Sequence, residues 1–393
     1  MKYLVIVGDG MADYPVAELG GKTPLEVADT PNLDWLASNG RMGMIRTVPE
    51  GMEPDSSIAN LSILGYDPRR YYTGRGPLEA GAMGIRLGER DVAFRCNLVT
   101  VQDGRMVDYS AGHVSTEEAS ELLEEVAKLE IGEFFTGVSY RHVFVLRNSD
   151  IRVGCTPPHD IVGEPIMSHL IPEEAGAIGR QLNELMLRSH QILSNHPINK
   201  RREKEGKKPA NMIWLWGPGP WPKLEPFRER YGISGAVISA VILIKGIGVC
   251  AGMEIIDVPG ATGYYDTNYE GKADYALRAL DRVDFVYIHV EAPDEAGHEG
   301  NPERKVKVLE EFDRRLVGRV LDRASECVIA ALPDHPTPIS KRVHTPDPVP
   351  FAIYRPGESG DGLRFNERSG MLGSVGFVEG PEFMRLLLMS KPA

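Results

Sequence analysis

Asp284-Phe-Val-Tyr-Ile-His-Val-Glu291, the segment 301–323 and Glu326-Cys-Val-Ile-Ala-Ala-Leu332 follow one another along the chain, and their order decides the fold. The first and third are short and almost wholly apolar, as strands buried on both faces are. The segment between them places apolar residues at Val306, Leu309, Phe312, Leu316 and Val320, which is a helical period. Strand, helix, strand predicts a mostly parallel sheet with crossover helices. Lys2-Tyr-Leu-Val-Ile-Val-Gly8 and Pro350-Phe-Ala-Ile-Tyr354 carry the same strand signature at the two ends of the chain. Thr30-Pro31-Asn32 opens a helix, with proline in its first turn.

The middle of the chain reads differently. Segments 91–101, 141–146 and 211–216 look like strands, and 116–129 and 172–193 like helices. Segment 194–210 is rich in Lys and Arg and reads as a solvated connection. The expectation is an α/β protein with a discontinuous first domain, residues 1–90 and 230–393. A second α/β domain, 91–229, is inserted, with crossings in the Gly- and Pro-rich stretches 88–91 and 218–235.

Composition narrows the function. The chain has 393 residues, 42% hydrophobic and 25% charged, enough to bury two cores. Its net charge of −12 argues against non-specific binding to nucleic acid or an anionic membrane. Four cysteines form no Cys-x-x-Cys pair, which disfavours a thiolate zinc site or a disulfide framework. The longest apolar run, 236–251, contains Lys245 and falls short of a bilayer span. The first apolar run stops at Asp9, too soon for a secretory leader. A soluble, cytoplasmic protein is expected.

The chemistry gathers at predicted strand ends. Asp9 follows the first strand. Asp294-Glu-Ala-Gly-His298 follows another, with Asp and His on one face if helical. Asp334-His335 follows the next, and His344 comes nine residues later. Each alone has an ordinary explanation: a helix surface pair, a loop, a cap. Together they converge on the carboxyl edge of one sheet, where α/β proteins bind ligands. Carboxylate with imidazole suits Zn²⁺ or Mn²⁺ better than Ca²⁺. Ser56 precedes a short helical pattern, Ile58, Leu61 and Leu64. It reads either as that helix's cap or as a nucleophile activated by a metal at a helix N-terminus. No Gly-x-Ser-x-Gly elbow surrounds it.

Asp9-Gly10, Asp55-Ser56, Asp294-x-x-x-His298, Asp334-His335, His344-Thr-x-x-Pro-Val-Pro and the segment 235–248 resemble the cofactor-independent phosphoglycerate mutases. The similarity is to the archaeal-type branch, within the alkaline phosphatase superfamily, and spans nearly the whole chain. It implies an alkaline-phosphatase-like, mostly parallel sheet sandwiched by helices. It implies a cytoplasmic isomerase of glycolysis that interconverts 3-phosphoglycerate and 2-phosphoglycerate through a phosphoserine, without 2,3-bisphosphoglycerate. Two divalent ions, Mn²⁺ by resemblance or Zn²⁺, Co²⁺ or Mg²⁺, are implied. Asp294, His298 and His344 would hold one, and Asp9, Ser56, Asp334 and His335 the other. Ser56 would take the phosphoryl group, and Lys245 would lie beside it.

A small phosphorylated substrate needs cationic or polar partners. Arg75, His113, Arg141, His159 and Asp160 are the candidates, each equally open to a surface or capping role. One stretch departs from the family pattern: Gly217-Pro-Gly-Pro-Trp221-Pro stands where Gly-Gln-Gly and a basic residue are common. Val290-Glu-Ala-Pro also resembles a bacterial sub-branch proposed to act on another alcohol. A related phosphotransferase or phosphomonoesterase, such as a homoserine kinase, is therefore the alternative.

Overall fold

The structure, a computed structural model, describes residues 1–149, 151, 153–324 and 326–389. The chain divides into two compact units, Met1–Tyr72 with Lys223–Ala393, and Thr73–Pro222. The strands in chain order are β1 Tyr3–Gly8, β2 Arg41–Arg46, β3 Val92–Gln102, β4 Arg105–Asp108, β5 Glu133–Val138, β6 Arg141–Leu146 and β7 Met212–Gly219. They continue with β8 Gly235–Ile238, β9 Glu254–Ile255, β10 Phe285–Val290, β11 Val328–Leu332, β12 Val349–Tyr354 and β13 Gly376–Glu379.

The first unit holds an eight-stranded sheet in the order β13-β2-β12-β11-β1-β10-β8-β9. β1 lies in the middle, parallel to both β10 and β11, and β8 continues the parallel set. β12 runs antiparallel between β11 and β2. Leu4 to Gly8 and all of β10 and β11 are buried, as apolar runs covered on both faces must be. Leu4, Ile6, Val286, Ile288, Ile329 and Ala331 pack with Leu309, Phe312 and Leu316 of the crossover helix. That helix runs Pro302–Phe312 and passes through a π turn, Asp313–Val317, into Gly318–Leu321. The turn aims buried Asp313 at the start of the helix Pro31–Asn39, where its carboxylate accepts from the N–H groups of Asn32 (3.2 Å) and Leu33 (2.6 Å). It satisfies donors that Thr30, the residue at the cap position, leaves open.

The second unit is built on an antiparallel sheet, β4-β3-β6-β5, with β7 along the other side of β3. The helices Thr116–Ala127 and Gly176–Leu193 cover one face, closing a core of Phe94, Cys96, Leu98, Leu122, Leu182 and Trp214. On the other face Ala80 and Ile85 pack against Ala93, Val143 and Val145. The helix Arg75–Ala82 therefore belongs to this unit. The chain passes between the two units at Tyr72–Thr73 and again at Pro222–Lys223.

Segment 194–210 is not merely a solvated connection. It contains the helix Pro197–Lys204, and Arg202 is buried. Its guanidinium donates to Glu118 (2.6 Å) and to the carbonyls of Lys208 (3.0 Å) and Ala111 (2.9 Å). A buried cation held this way is a structural tie. Among the described residues no helix is long and apolar enough to cross a membrane.

Candidate metal centre

The register of the parallel strands assembles the centre. Gly8 pairs with Val290, and Val7 with Leu332, so β1, β10 and β11 end at one level. Asp9 is the next residue after β1, Asp294 lies in the helix Ala292–Glu299 that follows β10, and Asp334 and His335 follow β11. Gly10 takes φ +60, and a Cβ there would collide with Asp294 and Thr337. Glycine is what lets the first loop lie against the other two.

Asp294, His298 and His344 form one group. His298 Nε2 is 3.1 Å from Asp294 Oδ2 and 3.0 Å from His344 Nε2, and His344 Nε2 is 3.4 Å from Asp294 Oδ1. His298 Nδ1 faces the carbonyl of Arg342 (2.9 Å), and His344 Nδ1 that of Pro54 (3.3 Å). A carbonyl only accepts, so each Nδ1 carries a hydrogen, and each Nε2 is the nitrogen left to face the common point, where a proton or a metal ion would compete for it. Thr337 donates its hydroxyl to Asp294.

Asp9, His289 and Asp334 form the second group. His289 Nε2 is 3.2 Å from Asp9 Oδ2 and 3.9 Å from Asp334 Oδ2. His289 Nε2 and Asp9 Oδ1 are buried without a hydrogen-bond partner among the described residues. Asn60 donates to Asp334 Oδ2 (2.8 Å), and Tyr287 in turn donates to Asn60 (2.5 Å). His335 faces both groups: its ring stacks on His344 at 4.0 Å, and its Nε2 is 3.4 Å from Asp9 Oδ1. Within each of two sets, Asp294-His335-His344 and Asp9-His289-Asp334, ligand-type atoms lie within 4.8 Å of one another.

His289 escaped the sequence reading because it sits inside the apolar run of β10. The available signal was an imidazole in an otherwise apolar buried strand, shortly before Asp294. The pairing explains its place. His289 pairs with Val7, two residues short of Asp9, and residues two apart along a strand share a face.

The electrostatics follow from burial and charge. Burial pushes the Asp294 carboxyl up, but His298 and His344 outweigh it and hold it well below the usual range. Burial works against a charged His298 as well, yet Asp294 raises it to about 9. Asp9 is raised, by burial first and then by Asp334 and Asp294. Asp334 is lowered, because His335 and His289 overcome its burial. Burial lowers His335 and His289, against the pull of Asp334, which raises both.

Ser56 is the first residue of the helix Ser56–Ile63, and its Oγ is 3.1 Å from His335 Nε2. It does not cap that helix: Asp55 does, accepting from Ser57 N–H at 2.8 Å. Lys245 lies in the helix Ile242–Cys250, and its Nζ is 2.5 Å from Asp257 Oδ1.

The candidates of the second unit meet around Trp216. The Arg75 guanidinium lies 5.3 Å over its ring, and the His159 ring is 5.4 Å from it, edge-on. Tyr109 links His159 (6.0 Å) to Tyr140 (6.0 Å), against which His113 (5.8 Å) and Arg141 (5.0 Å) pack. Asp160 Oδ1 is 3.7 Å from His159 Nε2 and exposed. Sequence reasoning missed Arg95, hidden in the alternation of β3. It is buried, pairs with Glu79, and donates to Asn97 (3.0 Å) beneath Trp216.

The profile of the family described as 2,3-bisphosphoglycerate-independent phosphoglycerate mutase matches residues 37–199. A protein of that name from Methanothrix thermoacetophila is 56% identical, covering 99% of this chain and 100% of its own. The second such protein of Methanothermobacter thermautotrophicus is 55% identical, with 99% and 97% covered. Among solved structures, the cofactor-independent phosphoglycerate mutase of Thermoplasma acidophilum is 31% identical with a TM-score of 0.68, covering 99% of both chains. A Pyrococcus horikoshii protein is 33% identical with a TM-score of 0.84, covering 100% of this chain and 99% of that one.

Proposed function

The chain belongs to the 2,3-bisphosphoglycerate-independent phosphoglycerate mutase family, and from that premise we propose that it interconverts 3-phosphoglycerate and 2-phosphoglycerate through a phosphoserine at Ser56, using two divalent ions. It is an isomerase by its family. The carrying observation is that Ser56 Oγ, His335 and the two carboxylate–imidazole groups converge at one sheet edge.

The donor sets fit divalent ions. Metal–ligand bonds of about 2.0–2.2 Å set neighbouring donors about 3.0–3.5 Å apart at tetrahedral or octahedral angles. Asp294, His298 and His344 are spaced 3.0–3.4 Å, and Asp9 lies 3.2 Å from His289 and 3.4 Å from His335. The partnerless Asp9 Oδ1 and His289 Nε2 fit the same reading. Asp294, His298 and His344 would hold one ion; Asp9, Asp334, Ser56 and His335, with His289, the other. By the family resemblance Mn²⁺ is favoured, with Zn²⁺, Co²⁺ or Mg²⁺ as substitutes; the mixed N and O donors suit such ions better than Ca²⁺. Bound ions would ease loss of the Ser56 proton and offset phosphoryl charge.

The residues of the chain do the rest. Ser56 Oγ would attack phosphorus and release the 3-hydroxyl of glycerate; the 2-hydroxyl would then take the group back. His335 orients Oγ, and the helix start offers N–H groups to the phosphoryl oxygens. Lys245 would add a positive charge for the phosphoryl group. Arg75, His113, Arg141, His159 and Asp160, with Arg95 behind Arg75, would serve the glycerate.

The test is an assay of Mn²⁺-loaded protein with 3-phosphoglycerate, coupled to enolase and free of 2,3-bisphosphoglycerate. Turnover is expected. Release of inorganic phosphate alone, or transfer only to homoserine from a phosphoryl donor, would replace the reading with the alternative one.

A further inference from the structure

Apart from His289 in β10 and Ser56 at the start of the helix Ser56–Ile63, the ligand-type residues stand on three segments: the loop after β1, the loop after β11 and the helix after β10. One side chain from outside the centre joins the two loops. Lys305, in the helix Pro302–Phe312, is fully buried, and its ammonium has three acceptors. They are Asp13 Oδ2 at 2.8 Å, Thr337 O at 2.9 Å and Ala12 O at 3.2 Å. Ala12 and Asp13 lie just beyond Asp9, and Thr337 lies two residues beyond His335. The Asp13 carboxylate, also buried, accepts from Ile339 N–H (3.2 Å) and Tyr14 N–H (2.8 Å). Thr337 carries the chain of contacts inward, because its hydroxyl donates to Asp294.

We propose that Lys305, paired with Asp13, is the positioning residue of the metal centre: it sets the loop of Asp9 against the loop of Asp334, His335 and Thr337. The inference rests on the metal reading above. A buried ion pair is a weak source of stability, since desolvation offsets its attraction. What this pair supplies is direction, because each donor of one ammonium is committed to a different loop atom. A centre whose supporting groups are loosened by an ångström loses its ligand geometry.

The test uses the full chain and Mn²⁺ alone. Binding is read from the loss of the free-ion electron paramagnetic resonance signal, and folding from thermal melting under chelation. The Lys305→Met/Asp13→Asn variant removes both charges. It should fold and bind Mn²⁺ about 10–100-fold more weakly than wild type. Asp313→Asn is the control: it loosens the helix Pro31–Asn39, which carries no ligand-type residue of the centre, and should lower melting without changing Mn²⁺ affinity. A folded double variant with wild-type affinity overturns the proposal. If that variant does not fold, Asp13→Asn alone, which keeps an oxygen toward Lys305, is read the same way: weaker binding supports the proposal and unchanged binding overturns it. Wild-type protein that binds no Mn²⁺ would instead overturn the metal reading, and the proposal with it.

Discussion

Ser56 Oγ stands 3.1 Å from His335 Nε2, while the cap of its helix is made by Asp55. The hydroxyl is therefore not engaged in holding the helix start. Ser56→Ala should abolish turnover and leave the melting temperature nearly unchanged. Asp55→Ala should cost about 1 kcal/mol of stability, the usual worth of a cap. Ser62→Ala is the comparison, since that hydroxyl is buried without a partner among the described residues and should be dispensable. Protein quenched during turnover with labelled substrate should carry label on the Ser56 peptide. An active Ser56→Ala protein would reject the covalent route.

The imidazole of His298 sets a pH dependence. Burial lowers it, but Asp294 raises it to about 9, above its ordinary 6.5. In metal-free protein the pair's contribution to stability is full below pH 6.5 and lost as pH rises through 9. Protons and metal compete for the same lone pair, so Mn²⁺ affinity should move the opposite way, rising with pH up to about 9. Melting curves with chelator and with Mn²⁺, taken from about pH 6 to about pH 9, should diverge. Curves that stay parallel would show that His298 is not titrating against the ion.

His289→Leu should weaken one of two Mn²⁺ sites by about 10–100-fold, in line with the loss of a ligand or its immediate support. The stoichiometry of tight binding would fall from two toward one. Unchanged stoichiometry would make His289 a packing residue.

Glu367 is raised to about 6, chiefly by burial, although Thr23 and the N–H of Asp13 bond to it. Its folded value exceeds the unfolded 4.5, so folding is favoured below pH 4.5 and the advantage is lost as pH rises through 6. Glu367→Gln should raise stability by about 1 kcal/mol near neutral pH and change little in acid below the unfolded value. A loss at neutral pH would show that the two hydrogen bonds outweigh the burial.

The parallel sheet was legible because β1, β10 and β11 are continuous apolar runs, and the strand ends could be read from the first polar residue after each. The same rule hid other parts. β2, Arg-Met-Gly-Met-Ile-Arg, and β13, Gly-Phe-Val-Glu, owe their places to pairing partners distant in the chain. The apolar run 236–251 conceals a boundary: β8 ends at Ile238 and a helix begins at Ile242. His289 and Arg95 lie inside strands, where a polar residue reads as an exception until its neighbours across the sheet are known. Asp55 and Ser56 are adjacent, and only the backbone geometry separates the cap from the hydroxyl that faces His335.

The central position of β1 has a consequence for synthesis. Its two neighbours, β10 and β11, come much later in the chain, so β1 leaves the ribosome long before it can find its partners. The unit Thr73–Pro222 is complete long before then and can fold while translation continues. The nascent β1 must stay unpaired for that interval, an exposed apolar edge that slow, long-range pairing leaves open to aggregation.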